Sequence, residues 1–195
     1  MVTASPSETA LRLALARPAR LGGGRLICVD GPAGSGKSTL AAGIAALDPR
    51  TVVVTTDDLL DGWDGLPGLP ALLDDLLAPL ARGEDSSYLR YDWHAGRYAE
   101  RVAVPRTPLL VVEGVGSGAR VLADRRSLLV WVSAPDDVRL RRGLARDGAA
   151  VAPHWRRWMA AEAAHFAEEG TAAAADLRVD GATHQIEPLR SQPIG

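Results

Sequence analysis

The chain has 195 residues, 47% hydrophobic and 24% charged, which suits one well-buried α/β domain and leaves little for a second. A formal charge of −2 gives no general attraction to nucleic acid or an anionic membrane, and no run approaches the roughly 20 apolar residues of a membrane span. The lone cysteine, Cys28, lies in the apolar run Leu26-Ile27-Cys28-Val29, so it forms no intrachain disulfide and reads as a buried structural thiol.

The N-terminal segment is interrupted by Arg12 and Arg17 and lacks the pattern of a cleaved leader, so a cytoplasmic location is expected. Ser7 is the expected N-cap of a surface helix over "ETALRLALA". Short apolar runs then predict strands at Arg25–Asp30, Thr51–Thr55, Leu109–Glu113, Leu128–Ser133 and Asp176–Asp180. Helical patterns fall between and after them, at Lys37–Leu47, Leu69–Arg82, Gly116–Asp124, Pro135–Arg146 and Pro153–Glu168. This alternation predicts a single three-layer α/β domain over 1–195 with a mainly parallel five-stranded sheet. Residues 57–105 are too many for a simple crossover and are expected to form an insert walling a pocket; residues 181–195 are expected to be a fraying tail.

The first strand runs into Gly31-Pro32-Ala33-Gly34-Ser35-Gly36-Lys37-Ser38-Thr39, which fits G-x-x-x-x-G-K-[ST] between a strand and a helix. Glycines let successive N–H groups turn inward as an anion nest, and the helix N-terminus adds positive potential. Lys37 would reach the outer phosphates of a nucleotide and Ser38 would ligate Mg²⁺. Lys37 is also the only lysine, against 21 arginines. A compact ammonium survives where a planar guanidinium is no substitute. With no second lysine, an N-K-x-D guanine-reading element cannot be built, and L-S-G-G-Q is absent.

Two carboxylates end predicted strands on the rim where open α/β sheets bind ligands. Glu113, closing "LLVVEG", is a candidate Mg²⁺ ligand with Ser38. In "TTDDLL", Asp57 is the preferred general base for an acceptor hydroxyl, with Asp58 as the competing candidate. Downstream, "PDDVRLRRGLARDG" places Arg139, Arg142 and Arg146 on one helical face. All three tyrosines and Trp93 crowd into "YLRYDWHAGRY", amphipathic rings that suit an acceptor pocket. Trp63, between two Asp-Gly turns, is a candidate pocket wall. Trp155, Trp158 and Phe166 are expected to dock on the sheet, and His154 and His165 form no metal constellation.

"GPAGSGKST", "TTDDLL", "YDW", "VVEG" and "RLRRGLARDG" together resemble the uridine kinase-like group of small-molecule P-loop kinases, over most of Arg25 to Asp147. That group is similar to nucleoside and nucleoside monophosphate kinases. The resemblance implies a P-loop NTPase fold with a helical acceptor-binding insert, and it allows a homodimer. It also implies that 135–150 is a lid whose arginines, Arg139, Arg142 and Arg146, would neutralise charge on a transferring phosphoryl group. It also implies ATP and Mg²⁺ as cofactors and transfer of a phosphoryl group to a nucleoside-like acceptor. It points to Trp63-Asp64 for ribose hydroxyls and to Tyr91 and Trp93 for the base, while Arg97, from the aromatic segment itself, is a candidate to meet anionic or carbonyl groups of the acceptor. The element departs from the group's pattern at His94 and Gly96. Two other readings stay open: a nucleoside monophosphate acceptor, met by Arg90, Arg97 or Arg101, and an ATP-binding regulator or slow hydrolase without an acceptor.

Overall fold

The structure is a computed structural model and describes residues 4–187. Its first helix, α1 (Pro6–Leu15), begins two residues earlier than the sequence suggests. Ser5, not Ser7, is the N-cap, because its hydroxyl meets the Glu8 N–H while Glu8 reaches back to the Ser5 N–H, a reciprocal capping box. Strand β1 (Arg25–Asp30) leads to α2 (Lys37–Leu47), and β2 (Thr51–Thr55) to the insert. After the insert come β5 (Leu109–Glu113) and β6 (Leu128–Ser133), then helices α4 (Asp136–Asp147), α5 (Ala152–Glu169) and α6 (Thr171–Ala174), and finally β7 (Leu177–Asp180) and β8 (Gln185–Glu187).

The central sheet has the order β2-β5-β1-β6-β7-β8. The first five strands are parallel, as the sequence predicts, and β8 adds a sixth, antiparallel to β7. The expected tail is therefore paired through Glu187, and its remainder, 188–195, lies outside the described residues.

Alternate side chains of each strand enter opposite cores. On one face Ile27 and Val29 of β1, Val111 of β5 and Val130 of β6 pack against Ala10 and Ala14 of α1 and Leu40 and Ile44 of α2. On the other, Leu26, Cys28, Leu110, Val112 and Leu129 meet the leucines of α3 (Leu69–Ala81) and Trp158 of α5. This double coverage is why the strands read as unbroken apolar runs. It also buries Cys28, and desolvation pushes its thiol up to about 12.

Two expectations fail. The insert is only half helical: after three short 3-10 turns and α3, it continues as a hairpin of β3 (Ser86–Asp92) and β4 (Arg97–Val104). The tyrosines that suggested a pocket, Tyr88, Tyr91 and Tyr98, are here strand residues, and Trp93 lies in the turn between the strands. Asp92 makes the turn by accepting the His94 and Ala95 N–H groups, with Gly96 at φ +64. The segment Gly116–Asp124 folds as turns with one 3-10 turn at Arg120–Leu122. Its first amides serve another group instead of a helix. Asp30, wholly buried at the end of β1, takes the Gly31 and Gly116 N–H groups on Oδ1 and the Gly118 N–H on Oδ2.

Burial raises the Asp30 carboxyl from 3.8 to about 6, against the lowering effect of those three N–H groups and Lys37. An acid raised on folding contributes stability that is full below its unfolded value and fades as pH climbs through its folded value. The stability difference between wild type and Asp30→Asn is therefore predicted to shrink between pH 4 and pH 6. The variant, left with an amide donor facing N–H groups, should lose about 1–3 kcal/mol in denaturant unfolding at pH 5.

Candidate active site

The phosphate loop spans Gly31 to Ser38 and empties into α2, whose N-cap, Gly36, sits at φ +109 with no side chain capping the helix. The first-turn N–H groups are thus left for an anion. The loop is braced from behind. Gly34, at φ +77, lies so close to α4 that a Cβ would stand 2.7 Å from the Arg139 carbonyl oxygen, so only glycine fits. Arg142 donates to the Gly34 and Gly181 carbonyls at 3.2 and 3.1 Å, tying the loop to the turn after β7. The Lys37 ammonium, 7% exposed, donates to Pro32 O at 2.9 Å. Burial lowers its pKa, while Asp57, Asp30 and Glu113 pull the other way, Asp57 most strongly.

One cavity of about 930 Å³ opens in front of the loop. Gly34, Gly36, Lys37, Ser38 and Thr39 form its floor, with Ala33 at the edge. Asp57 and Glu113 stand at the ends of adjacent parallel strands, since Thr55 of β2 is in register with Glu113 of β5. Ser38 Oγ donates to Glu113 Oε1 at 3.1 Å. A hydroxyl and a carboxylate at the mouth of an amide nest are the hard oxygen donors that suit Mg²⁺ held jointly with phosphates. Among the described residues no group of three or more His, Cys, Asp or Glu gathers as a self-sufficient metal site. Burial raises the Glu113 carboxyl, and Lys37 and Ser38 hold it back.

The two acidic candidates after β2 separate by their partners. Asp58 accepts the Tyr88 hydroxyl at 2.8 Å, whereas the Asp57 side chain is exposed on the cavity wall and only its backbone carbonyl is engaged, by Trp93 Nε1 at 3.0 Å. Asp57 is the freer carboxylate, and Asp58 is held by the hairpin.

Of the residues expected to bind an acceptor, Trp63 and Trp93 line the cavity with Asp57 and Asp58. Asp64, Tyr91 and Arg97 do not. Asp64 ends an exposed 3-10 turn; Tyr91 sits behind Trp93, packed edge-on between it and Tyr98; Arg97 lies exposed on the hairpin opposite Asp92. The expectation that Trp155 docks on the sheet is corrected, whereas Trp158 packs with the sheet's core residues and faces the cavity as well. Both line the cavity, and Trp155 is laid so tightly on α4 that a Cβ at Gly143 would stand 2.2 Å from its ring. Phe166 also meets the sheet, edge-on to Trp131 of β6. Trp63 stacks on His154 and meets Trp93 and Trp158 edge-on, so the far wall is a joined set of indoles from the insert and α5. A helical aromatic spacing, with 155 and 158 three apart, was the available signal for these two, but it does not say which surface they face.

The arginines of α4 divide. Arg139 does not line the cavity: it is buried, bonded to Glu162, Asp136 and Ala33 O, and so supports the loop rather than reaching a phosphate. Arg142 lines the cavity while engaged with the loop carbonyls. Arg146 is exposed at the cavity and clasped by Asp147 through two bonds, at 2.7 and 3.0 Å. Arg90 pairs with Glu100 and Arg101 donates to Ser87, both away from this cavity.

No protein-family model matches the sequence, and no curated protein does either. Solved structures do match in fold. A possible uridine kinase from Bacillus stearothermophilus superposes with a TM-score of 0.61 at 18% identity, over 89% of this chain and 96% of that one. A putative fructose transport system kinase from Silicibacter sp. TM1040 gives a TM-score of 0.56 at 20% identity, over 86% and 96%. The chain thus has a mixed α/β P-loop fold resembling that of uridine kinase-like proteins. No helix among the described residues is long and apolar enough to cross a membrane.

Lys37→Ala should weaken binding of the Mg²⁺ complex of ATP at least tenfold in calorimetric titration, the scale of a lost charge-assisted hydrogen bond. Glu113→Gln should leave metal-free nucleotide binding nearly unchanged and raise several-fold the free Mg²⁺ needed for half-maximal tightening.

Proposed function

We propose that the protein transfers the γ-phosphoryl group of ATP to a hydroxyl of a nucleoside-like small molecule that carries no phosphate of its own. The observation that carries this reading is the continuity of the cavity: it runs unbroken from the phosphate loop, past Glu113 and Asp57, to the indoles of Trp63, Trp93, Trp155 and Trp158. At about 930 Å³ it lies at the upper end of the range for a single-ligand pocket, roughly 300–1,000 Å³. A hydrolase needs no such apolar far wall.

In this reading the loop amides and Lys37 hold the triphosphate, and Ser38 with Glu113 would hold Mg²⁺, which would supply neutralisation of phosphate charge. Asp57 accepts the proton of the acceptor hydroxyl. The acceptor oxygen then bonds to the γ-phosphorus as the bond to the β-γ bridging oxygen breaks, and ADP leaves. Arg146, already at the cavity, is the guanidinium placed to meet the charge that develops. The indoles offer flat apolar surface to a base or to the C–H face of a sugar, and Asp58 offers an acceptor for its hydroxyls. Arg90, Arg97 and Arg101 lie outside the cavity, which favours an acceptor without a phosphate over a nucleoside monophosphate.

The test is ADP release from MgATP with nucleosides, nucleoside monophosphates and sugars against a no-acceptor control. A nucleoside or a sugar should stimulate ADP formation and a monophosphate should not; stimulation by monophosphates alone, or by nothing, would overturn the proposal. With the acceptor found, Asp57→Asn should bind MgATP like wild type and transfer phosphate about 10²–10⁴-fold more slowly, the usual worth of a general base. Asp58→Asn should mainly raise the acceptor KM. The reverse pattern would move the base to Asp58.

A further inference from the structure

The loop's shape is fixed by a pair of charges far away in sequence. Glu162 of α5 is 1% exposed and accepts the Ala33 N–H on Oε2 at 2.8 Å. Its other oxygen accepts from Arg139 Nη1 at 2.6 Å, and that same nitrogen donates to Ala33 O at 3.2 Å. Both polar groups of one residue in the phosphate loop are therefore clamped by a buried ion pair. Arg139 is completed by Asp136 at 2.7 Å. Burial raises the Glu162 carboxyl, and the Ala33 N–H and Arg139 work to keep it ionised.

Glu162 has a second property. It lies four residues from Trp158 and seven from Trp155, so all three share one face of α5. That face touches the loop at one end and the acceptor wall at the other, where Trp158 meets Trp63 and His154 stacks on it.

We infer that Glu162, paired with Arg139, is a positioning residue that sets the phosphate loop in its anion-accepting shape and joins it, through α5, to the tryptophan wall of the acceptor site. The inference rests on the reading of the loop as an ATP site. The Ala33 N–H is not free for phosphate; it is spent on Glu162, which fixes the plane of the peptide leading into Gly34. The loop is then held in shape without waiting for a ligand to order it, and pre-ordering of this kind raises affinity by removing a cost of binding. A shift of α5 that tilts Trp155 and Trp158 also moves Glu162 and with it Ala33, so occupancy of either end of the cavity is felt at the other.

A buried ion pair replaced by apolar side chains of similar volume is often neutral for stability, which separates a positioning role from a packing one. In full-length protein, Arg139→Met with Glu162→Met should unfold cooperatively near the wild-type midpoint yet bind MgATP at least tenfold more weakly by calorimetry. The tryptophan emission change at saturating MgATP should fall to less than half. Unchanged affinity in the folded double variant would overturn the inference, and an undiminished emission change would overturn the link through α5. Should the double variant not fold, Glu162→Gln serves: its amide oxygen still accepts the Ala33 N–H but leaves Arg139 short of charge, and a severalfold affinity loss is expected, with wild-type affinity overturning the proposal. Wild-type protein that binds no MgATP would instead remove the underlying nucleotide reading, a result distinct from either.

Discussion

A loop that offers its amides to an anion cannot use them to hold itself together. Within the loop the Ser35 N–H turns back to Pro32 O at 3.2 Å, and the rest of the loop's conformation is imposed by groups that contact its carbonyls and its edges. The structure meets that requirement from three sides. Asp30 gathers the Gly31, Gly116 and Gly118 N–H groups beneath the loop; Arg142 grips the Gly34 carbonyl from α4; Glu162 and Arg139 clamp Ala33 from α5 and α4. Lys37 completes the brace by donating to Pro32 O. Much of what surrounds the strand ends, including the unwinding of 116–124 into turns, follows from supplying those partners.

The buried charges are poor sources of net stability. Removing Arg139 and Glu162 from water costs several kcal/mol for each ion, and their attraction at 2.6 Å returns about as much. What the pair contributes is geometry: a carboxylate whose two oxygens are both committed cannot rotate, and a guanidinium shared among Glu162, Ala33 and Asp136 is fixed in its plane. Asp30 makes the same trade, with three N–H groups offsetting burial incompletely enough that its carboxyl rises to about 6. The site is stiff because most of its charged groups are committed to several partners, not because its ion pairs are strong; in the loop and its clamp, Ser35 Oγ and Arg139 Nε are the buried side-chain atoms left without one among the described residues.

How much of this was legible in the sequence depends on how local each cause is. Strands β1, β2, β5 and β6 are apolar runs bounded by turn residues, and their ends were readable to the residue. The phosphate loop is a contiguous motif, and Asp57 and Glu113 follow from where β2 and β5 stop. The hairpin was missed because its strands carry charges on both faces, so "YLRYDW" has no clean alternation, and the turn at Asp92–Gly96 is made by a side chain accepting from the backbone. Glu162 had no local signal at all. It lies 129 residues from Ala33, in the stretch Ala160-Ala161-Glu162-Ala163-Ala164 of an amphipathic helix, where a lone glutamate among alanines carries no mark of burial. Arg139 was visible as a member of a basic face, but a face does not reveal which guanidinium is buried. Trp155 and Trp158 share that ambiguity, since an indole on a helix looks the same whether it meets a sheet or a cavity.

The distribution of charge around the cavity argues for the kind of acceptor it takes. Its lining includes Lys37, Arg142 and Arg146 against Asp57, Asp58, Glu113 and Asp147. The cations gather around the loop and on α4. Arg142 is already occupied by carbonyls, and Arg146 is held by Asp147, which burial alone would raise but Arg146 and Trp155 bring below its ordinary value. The carboxylates that remain, Asp57 and Asp58, stand beside indoles and without a cation of the hairpin among the cavity's lining. An anionic acceptor would enter against two carboxylates and find only cations that the triphosphate also needs. In the proposed reading, a hydroxyl compound with an apolar face would enter without that penalty, donate its proton toward Asp57, and bury its body against Trp63 and Trp158. The proposed alcohol acceptor is thus the one whose charge the far wall would not oppose.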